Sequence, residues 1–138
     1  MKRKLIRIVV CMLAIVLLSN SVFAVSEYNV QPRFIYLITN RATITIDMSN
    51  GIASCSASSG TRQSATVRIV GYLQKCIGGT WYNIKNWSDV GTYSAAIDKT
   101  FAIDSGYTYR YIAYTYVYDS SGNLLETATA SDSADYYP

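Results

Sequence analysis

The chain has 138 residues, half of them hydrophobic, with twelve Lys and Arg against nine Asp and Glu, and it contains no His. That absence removes the commonest general base and metal ligand. Four of the twelve cations (Lys2, Arg3, Lys4 and Arg7) precede an apolar run, so from residue 25 onward eight cations face nine acids, a net charge of −1 that argues against a basic nucleic-acid or membrane patch.

Residues 1–24 read as a cleaved secretory signal. The basic start leads into Ile8 to Leu18 (IVVCMLAIVLL), and Val22-Phe23-Ala24 offers acceptable side chains at the cleavage site. An apolar helix of that run would span about 17 Å, short of the roughly 30 Å hydrocarbon core, so no transmembrane segment is expected after cleavage. Cys11 lies inside the run without the residues of a lipoprotein site. Free secretion is expected.

Residues 25–138 are expected to form one domain. Val25 to Arg33 reads as an extended lead-in, with Pro32 unsuited to a central strand. FIYLI (34–38) suggests an edge strand. ATITIDM (42–48), the turn SNG (49–51) and IASCSAS (52–58) suggest a hairpin, and ATVRIVGYLQKC (65–76) turns at Gly78-Gly79 into TWYNIKNW (80–87). SAAIDKTFAI (94–103) then precedes the corner DSG (104–106). The strand 107–118 follows, and Asp119 to Asn123 turns it into LLETATAS (124–131). No segment shows helical periodicity. The fold class expected is all-β: a two-sheet antiparallel sandwich of seven or eight strands, of immunoglobulin or fibronectin type III character, with one disulfide.

That disulfide would join Cys55 and Cys76, the pair left when the signal is removed for an oxidising compartment. Closing the loop of about 22 residues between them would contribute roughly 3 kcal/mol in the chain-entropy model. Alternation raises a conflict. Cys55 shares a face with Ala53 and Ala57, but if Val67 and Leu73 point inward then Cys76 points outward. A bulge near Lys75 or a twist at the strand end would reconcile the two.

The run LQKCIGGTWYNIKNW (73–87), with GYTYR (106–110), Glu126, QPRF (31–34) and the cysteine of IASCSA, resembles a group of small secreted β-sandwich proteins of Gram-positive, Clostridia-type bacteria. The resemblance spans about residues 31–133 and implies fold and location, with no catalytic residues. Gly106-Tyr107-Thr108-Tyr109 is also similar to the corner of fibronectin type III and immunoglobulin-like domains, where a tyrosine hydroxyl bonds back to the corner backbone. This implies that Tyr109 points inward.

The strand GYTYRYIAYTYVY (106–118) holds six tyrosines in thirteen positions. With Tyr109 inward, Tyr111, Ala113, Thr115 and Val117 follow it, while Arg110, Ile112, Tyr114, Tyr116 and Tyr118 point out. The 65–76 strand is expected alongside, presenting Arg68, Val70, Tyr72 and Gln74. The following hairpin is expected to place Glu126 opposite Tyr116 and Asp132 near Arg110. The candidate binding residues are Tyr72, Tyr114, Tyr116, Tyr118, Arg68 and Arg110. Tyrosine gives rigid contact area with a polar tip, and Arg can stack on rings or grip a carboxylate. The competing reading is that cross-strand aromatic pairs stabilise the sheet and bind nothing. Trp81 and Trp87 share strand parity and are expected in the core together, or exposed as a sugar platform.

No paired carboxylates, phosphate loop, nucleophile elbow or calcium loop can be found, so no enzymatic activity, cofactor or metal is expected. The expected partner is a glycan or a protein. The alternatives are a secreted antagonistic or signalling protein of bacteriocin type, or a purely structural extracellular domain.

Overall fold

The computed structural model describes residues 34–137, so the expected signal at 1–24 and the lead-in at 25–33 lie outside the described residues. The chain forms seven strands: β1 (Leu37–Asp47), β2 (Ile52–Thr61), β3 (Thr66–Ile77), β4 (Thr80–Thr92), β5 (Ser94–Ala102), β6 (Tyr107–Tyr118) and β7 (Leu124–Tyr136). All pairings are antiparallel, in a three-stranded sheet of order β1-β2-β5 and a four-stranded sheet of order β4-β3-β6-β7. No helix occurs among the described residues. FIYLI is not a strand of its own, because only Leu37 and Ile38 join β1. At the other end β7 runs five residues past the expected boundary, its alternation carrying Tyr136 back into the core.

Period-2 alternation builds the interior. Ala53, Cys55 and Ala57 of β2 face Val67, Ile69 and Leu73 of β3 and Tyr109, Tyr111 and Ala113 of β6 in one buried cluster. Fully burying side chains such as Val67, Ile69 or Leu73 contributes about 1.5–3 kcal/mol each. Small residues on β2 leave room for the large rings of β6. The deepest fit is at Gly71, where a side-chain carbon would collide with the Tyr111 hydroxyl, so only glycine lets that ring lie against β3. The core is not wholly apolar. Thr115 on β6, Ser59 on β2 and Asn40 on β1 form a hydrogen-bonded triad with separations of 2.8–3.0 Å, which satisfies the two buried hydroxyls and ties the sheets together.

The corner before β6 forms as expected. Tyr109 Oη donates to the Asp104 carbonyl at 2.6 Å and accepts the Asp104 N–H at 3.1 Å. Gly106, at a φ of 86°, supplies the left-handed step that brings the chain around.

The disulfide does not form. Cys55 and Cys76 are both free thiols. β3 pairs with β6 without interruption from Thr66 to Lys75, so nothing turns Cys76 from the outward parity that alternation gives it. Cys55 lies in the core on the opposite sheet, and Cys76 sits half-buried on the outside of β3. The bulge invoked to reconcile them exists on the neighbouring strand instead. Opposite Leu73 and Gln74, β4 carries an extra residue, Ile84.

The hairpin register also departs from expectation. Asp119 holds the turn through its carboxylate, which accepts the N–H groups of Ser121 and Asn123 at 2.8 Å each and the Asn123 amide at 2.9 Å. Tyr118 then pairs with Leu124 as expected, but Val117 pairs with Glu126, leaving Leu125 as the extra residue. Every later β7 residue is displaced by one. Glu126 and Asp132 therefore leave the outer face and point inward toward β1.

Candidate functional site

The outer face of the four-stranded sheet can be built from the pairings. Arg68, Val70, Tyr72 and Gln74 of β3 stand opposite Tyr116, Tyr114, Ile112 and Arg110 of β6. Beyond β6 the rows continue into Thr127, Thr129, Ser131 and Ser133 of β7, all exposed. On the β3 side they continue into Val90, Ser88, Asn86 and Asn83 of β4. A central aromatic strip thus runs between margins dominated by hydroxyls and amides.

Within the strip, Arg68, Val70, Tyr72, Tyr114, Tyr116 and Tyr118 line one shallow, solvent-open hollow of about 390 Å³. Five of the six residues singled out by alternation meet there. Tyr72 and Tyr114 set the hollow's shape, meeting edge to face with centroids 6.0 Å apart and planes at 75°, a favourable quadrupole geometry. Tyr114 is the most open of the four rings, at 36% exposure. Val70, outward on alternation but outside the candidate set, forms an apolar part of the lining between the tyrosines.

Arg110, the sixth candidate, is not in the hollow. Its guanidinium donates to Gln74 Oε1 twice, from Nε at 2.9 Å and Nη2 at 2.6 Å, and lies 4.4 Å from the centre of the Trp81 ring. Gln74 is fixed in turn by donating to Asn83 at 2.7 Å. Arg110 is thereby held by neutral partners at the end of the face remote from Tyr118.

The two tryptophans part company because Ile84 is extra. Trp81 pairs with outward Cys76, whereas Trp87 pairs with inward Gly71. Trp87 meets Phe101 and Tyr111 edge to face at 6.5 and 6.3 Å. Shared parity fails as soon as one bulge separates the positions, and no short motif around Ile84 announces it.

The carboxylates expected on this face have other work. Glu126 accepts three backbone N–H groups, from Ile35, Tyr36 and Leu37, at 2.7, 3.0 and 2.9 Å. Asp132 accepts the Ile44 N–H at 3.0 Å. On the other flank Asp89 of β4 accepts the Ala96 N–H of β5 at 2.9 Å. Each places a charge against an edge backbone, which blocks the pairing of a foreign strand there.

Burial pushes the Cys55 thiol up to about 12 and raises Tyr111 as well, so neither ionises near neutrality. Lys75 is raised chiefly by its hydrogen bond to Asp104, at 2.8 Å. No group of three or more metal-ligating side chains occurs among the described residues. What the hollow can offer is contact area, hydroxyls and one guanidinium. No family model matches this chain, and neither a curated protein nor a solved structure is significantly similar to it.

Proposed function

We propose that this is a secreted, non-enzymatic binding module that recognises its ligand, a glycan or a protein, through the tyrosine face of β3 and β6. The observation that carries the reading is the convergence of Tyr72, Tyr114, Tyr116 and Tyr118 with Arg68 around one open hollow. A concave, ring-lined surface with a cation at its rim suits recognition, because tyrosine gains contact area while losing few rotamers. The signal-like residues 1–24 support export. The strand orders, with the Tyr109 hydroxyl on the Asp104 backbone, support an immunoglobulin or fibronectin type III-like sandwich. The resemblance to small secreted proteins of Clostridia-type bacteria supports the same setting, at the cell surface or in the surrounding medium.

The test is a glycan, peptidoglycan and extracellular-protein array probed with the wild type and a Tyr114→Ala/Tyr116→Ala variant. Signals that the variant loses support the face as the site. Equal signals from both proteins would reject it.

A further inference from the structure

We infer that the ligand of the tyrosine face is an acidic saccharide, its sugar carboxylate gripped by Arg68. This rests on the reading of that face as a binding surface and specifies what it binds.

Placed as the turn suggests, Glu126 would stand opposite Tyr116, in the same row as Arg68, and supply a carboxylate beside that guanidinium. The extra residue Leu125 removes it. Thr127 takes the position opposite Tyr116, and Glu126 turns to the N–H groups of Ile35, Tyr36 and Leu37. Asp132 is displaced in the same way and serves Ile44. The acid remaining on the outer face of β7 is Asp135, at the far end and bonded to Thr108 at 2.6 Å. The described residues contain one ion pair, Lys75 with Asp104, and it does not involve this face. Arg68 is exposed and has no carboxylate partner among the described residues. Arg110 is occupied by Gln74 and Trp81. The hollow thus has a cation on its lining and lacks an anion to match, and a guanidinium there matches a carboxylate in planar, two-point fashion.

The surroundings favour a sugar over a peptide as the carrier of that carboxylate. The hollow sits on β3 and β6, the two central strands, whose backbone groups are consumed by ladders on both sides. An extended peptide could not add to the sheet there, because strand addition needs an open edge. The margins instead present side-chain donors and acceptors: Thr127, Thr129 and Ser131 on one side, Asn86 and Ser88 on the other. A polyhydroxylated ring with an apolar face and a carboxylate can use all three features together.

The full chain is tested by calorimetry against trigalacturonic acid and sialyllactose, which carry the sugar carboxylate in two chemical forms. The neutral controls are carboxyl-reduced trigalacturonic acid and lactose, and a polyglutamate peptide controls for charge alone. We expect at least one acidic sugar to bind about tenfold or more tighter than its neutral counterpart, with Arg68→Gln removing that preference. Raising NaCl from about 0.05 to about 0.5 M should weaken the acidic ligand selectively. Tyr114→Ala should weaken acidic and neutral sugars alike. Equal affinity for acidic and neutral sugars, unchanged in Arg68→Gln, overturns the carboxylate inference while the tyrosine face stands. Binding of polyglutamate alone, or of none of these acidic sugars, overturns the saccharide. Acidic-sugar binding that survives Tyr114→Ala overturns the face itself.

Discussion

The two sides of β6 use the same amino acid for opposite ends. Tyr109 and Tyr111 point inward and are fully buried; Tyr114, Tyr116 and Tyr118 point outward around the hollow. Inside, each hydroxyl must find a partner or carry a desolvation cost, and the two inner tyrosines differ on that point. Tyr109 makes two hydrogen bonds at the corner, whereas the Tyr111 hydroxyl has no partner among the described residues. Outside, a hydroxyl without a protein partner costs nothing, because water or a ligand supplies one. Inner rings are therefore judged by stability and outer rings by binding, and substitutions should separate the two measurements.

The largest effect belongs to the inner ring packed on Gly71. Tyr111→Ala leaves a cavity between Gly71, Trp87 and the β2 side of the core, and should cost about 3–5 kcal/mol in denaturant unfolding. If it unfolds like the wild type, the inner face has been misplaced. Next comes the clamp that the hairpin bulge creates. Glu126→Ala leaves three N–H groups without their charged acceptor and should cost about 2 kcal/mol, with faster hydrogen exchange at Tyr36 and Leu37. Unchanged exchange there would argue for the unshifted register.

A finer contrast removes one oxygen at a time. Tyr109→Phe should cost about 1 kcal/mol, while Tyr111→Phe should be neutral or stabilising within about 0.5 kcal/mol, since it deletes an unpaired buried group. Equal losses from the two changes would mean that Tyr111 has a partner after all.

A separate contrast concerns the thiols. The Cys55 thiol is raised from 9.0 to about 12 by burial, so its neutral form is favoured on folding. Its contribution to stability is whole below pH 9.0 and is lost as the pH climbs toward 12, because the unfolded chain ionises first. Peptide mapping after brief iodoacetamide treatment at about pH 8 should find Cys76 labelled and Cys55 protected until the chain unfolds. Cross-linked peptides containing both cysteines would restore the disulfide.

Much of this arrangement could be read from alternation alone. The face of each residue in β3 and β6 was legible because both strands run without interruption and their patterns agree. The Tyr109 corner was legible because glycine, turn and ring occur at fixed spacing. Failures cluster at single extra residues. Ile84 separates Trp81 from Trp87, and Leu125 turns Glu126 and Asp132 from the outer face to the β1 flank. A bulge inverts every side chain beyond it, yet depends on turn closure and packing that no local motif encodes. The cysteine pair shows the converse. Expected export and cysteine count favour a bond, while the parity of β3 opposes it, and parity prevails because the core fixes Val67, Ile69 and Leu73.

The most direct measurement is a backbone NMR titration with whichever saccharide binds most tightly on the array. If the tyrosine face is the site, shift changes concentrate at Arg68, Val70, Tyr72, Tyr114, Tyr116 and Tyr118, with β1, β2 and β5 undisturbed. Changes centred on the three-stranded sheet instead, with the tyrosine strands silent, would contradict it.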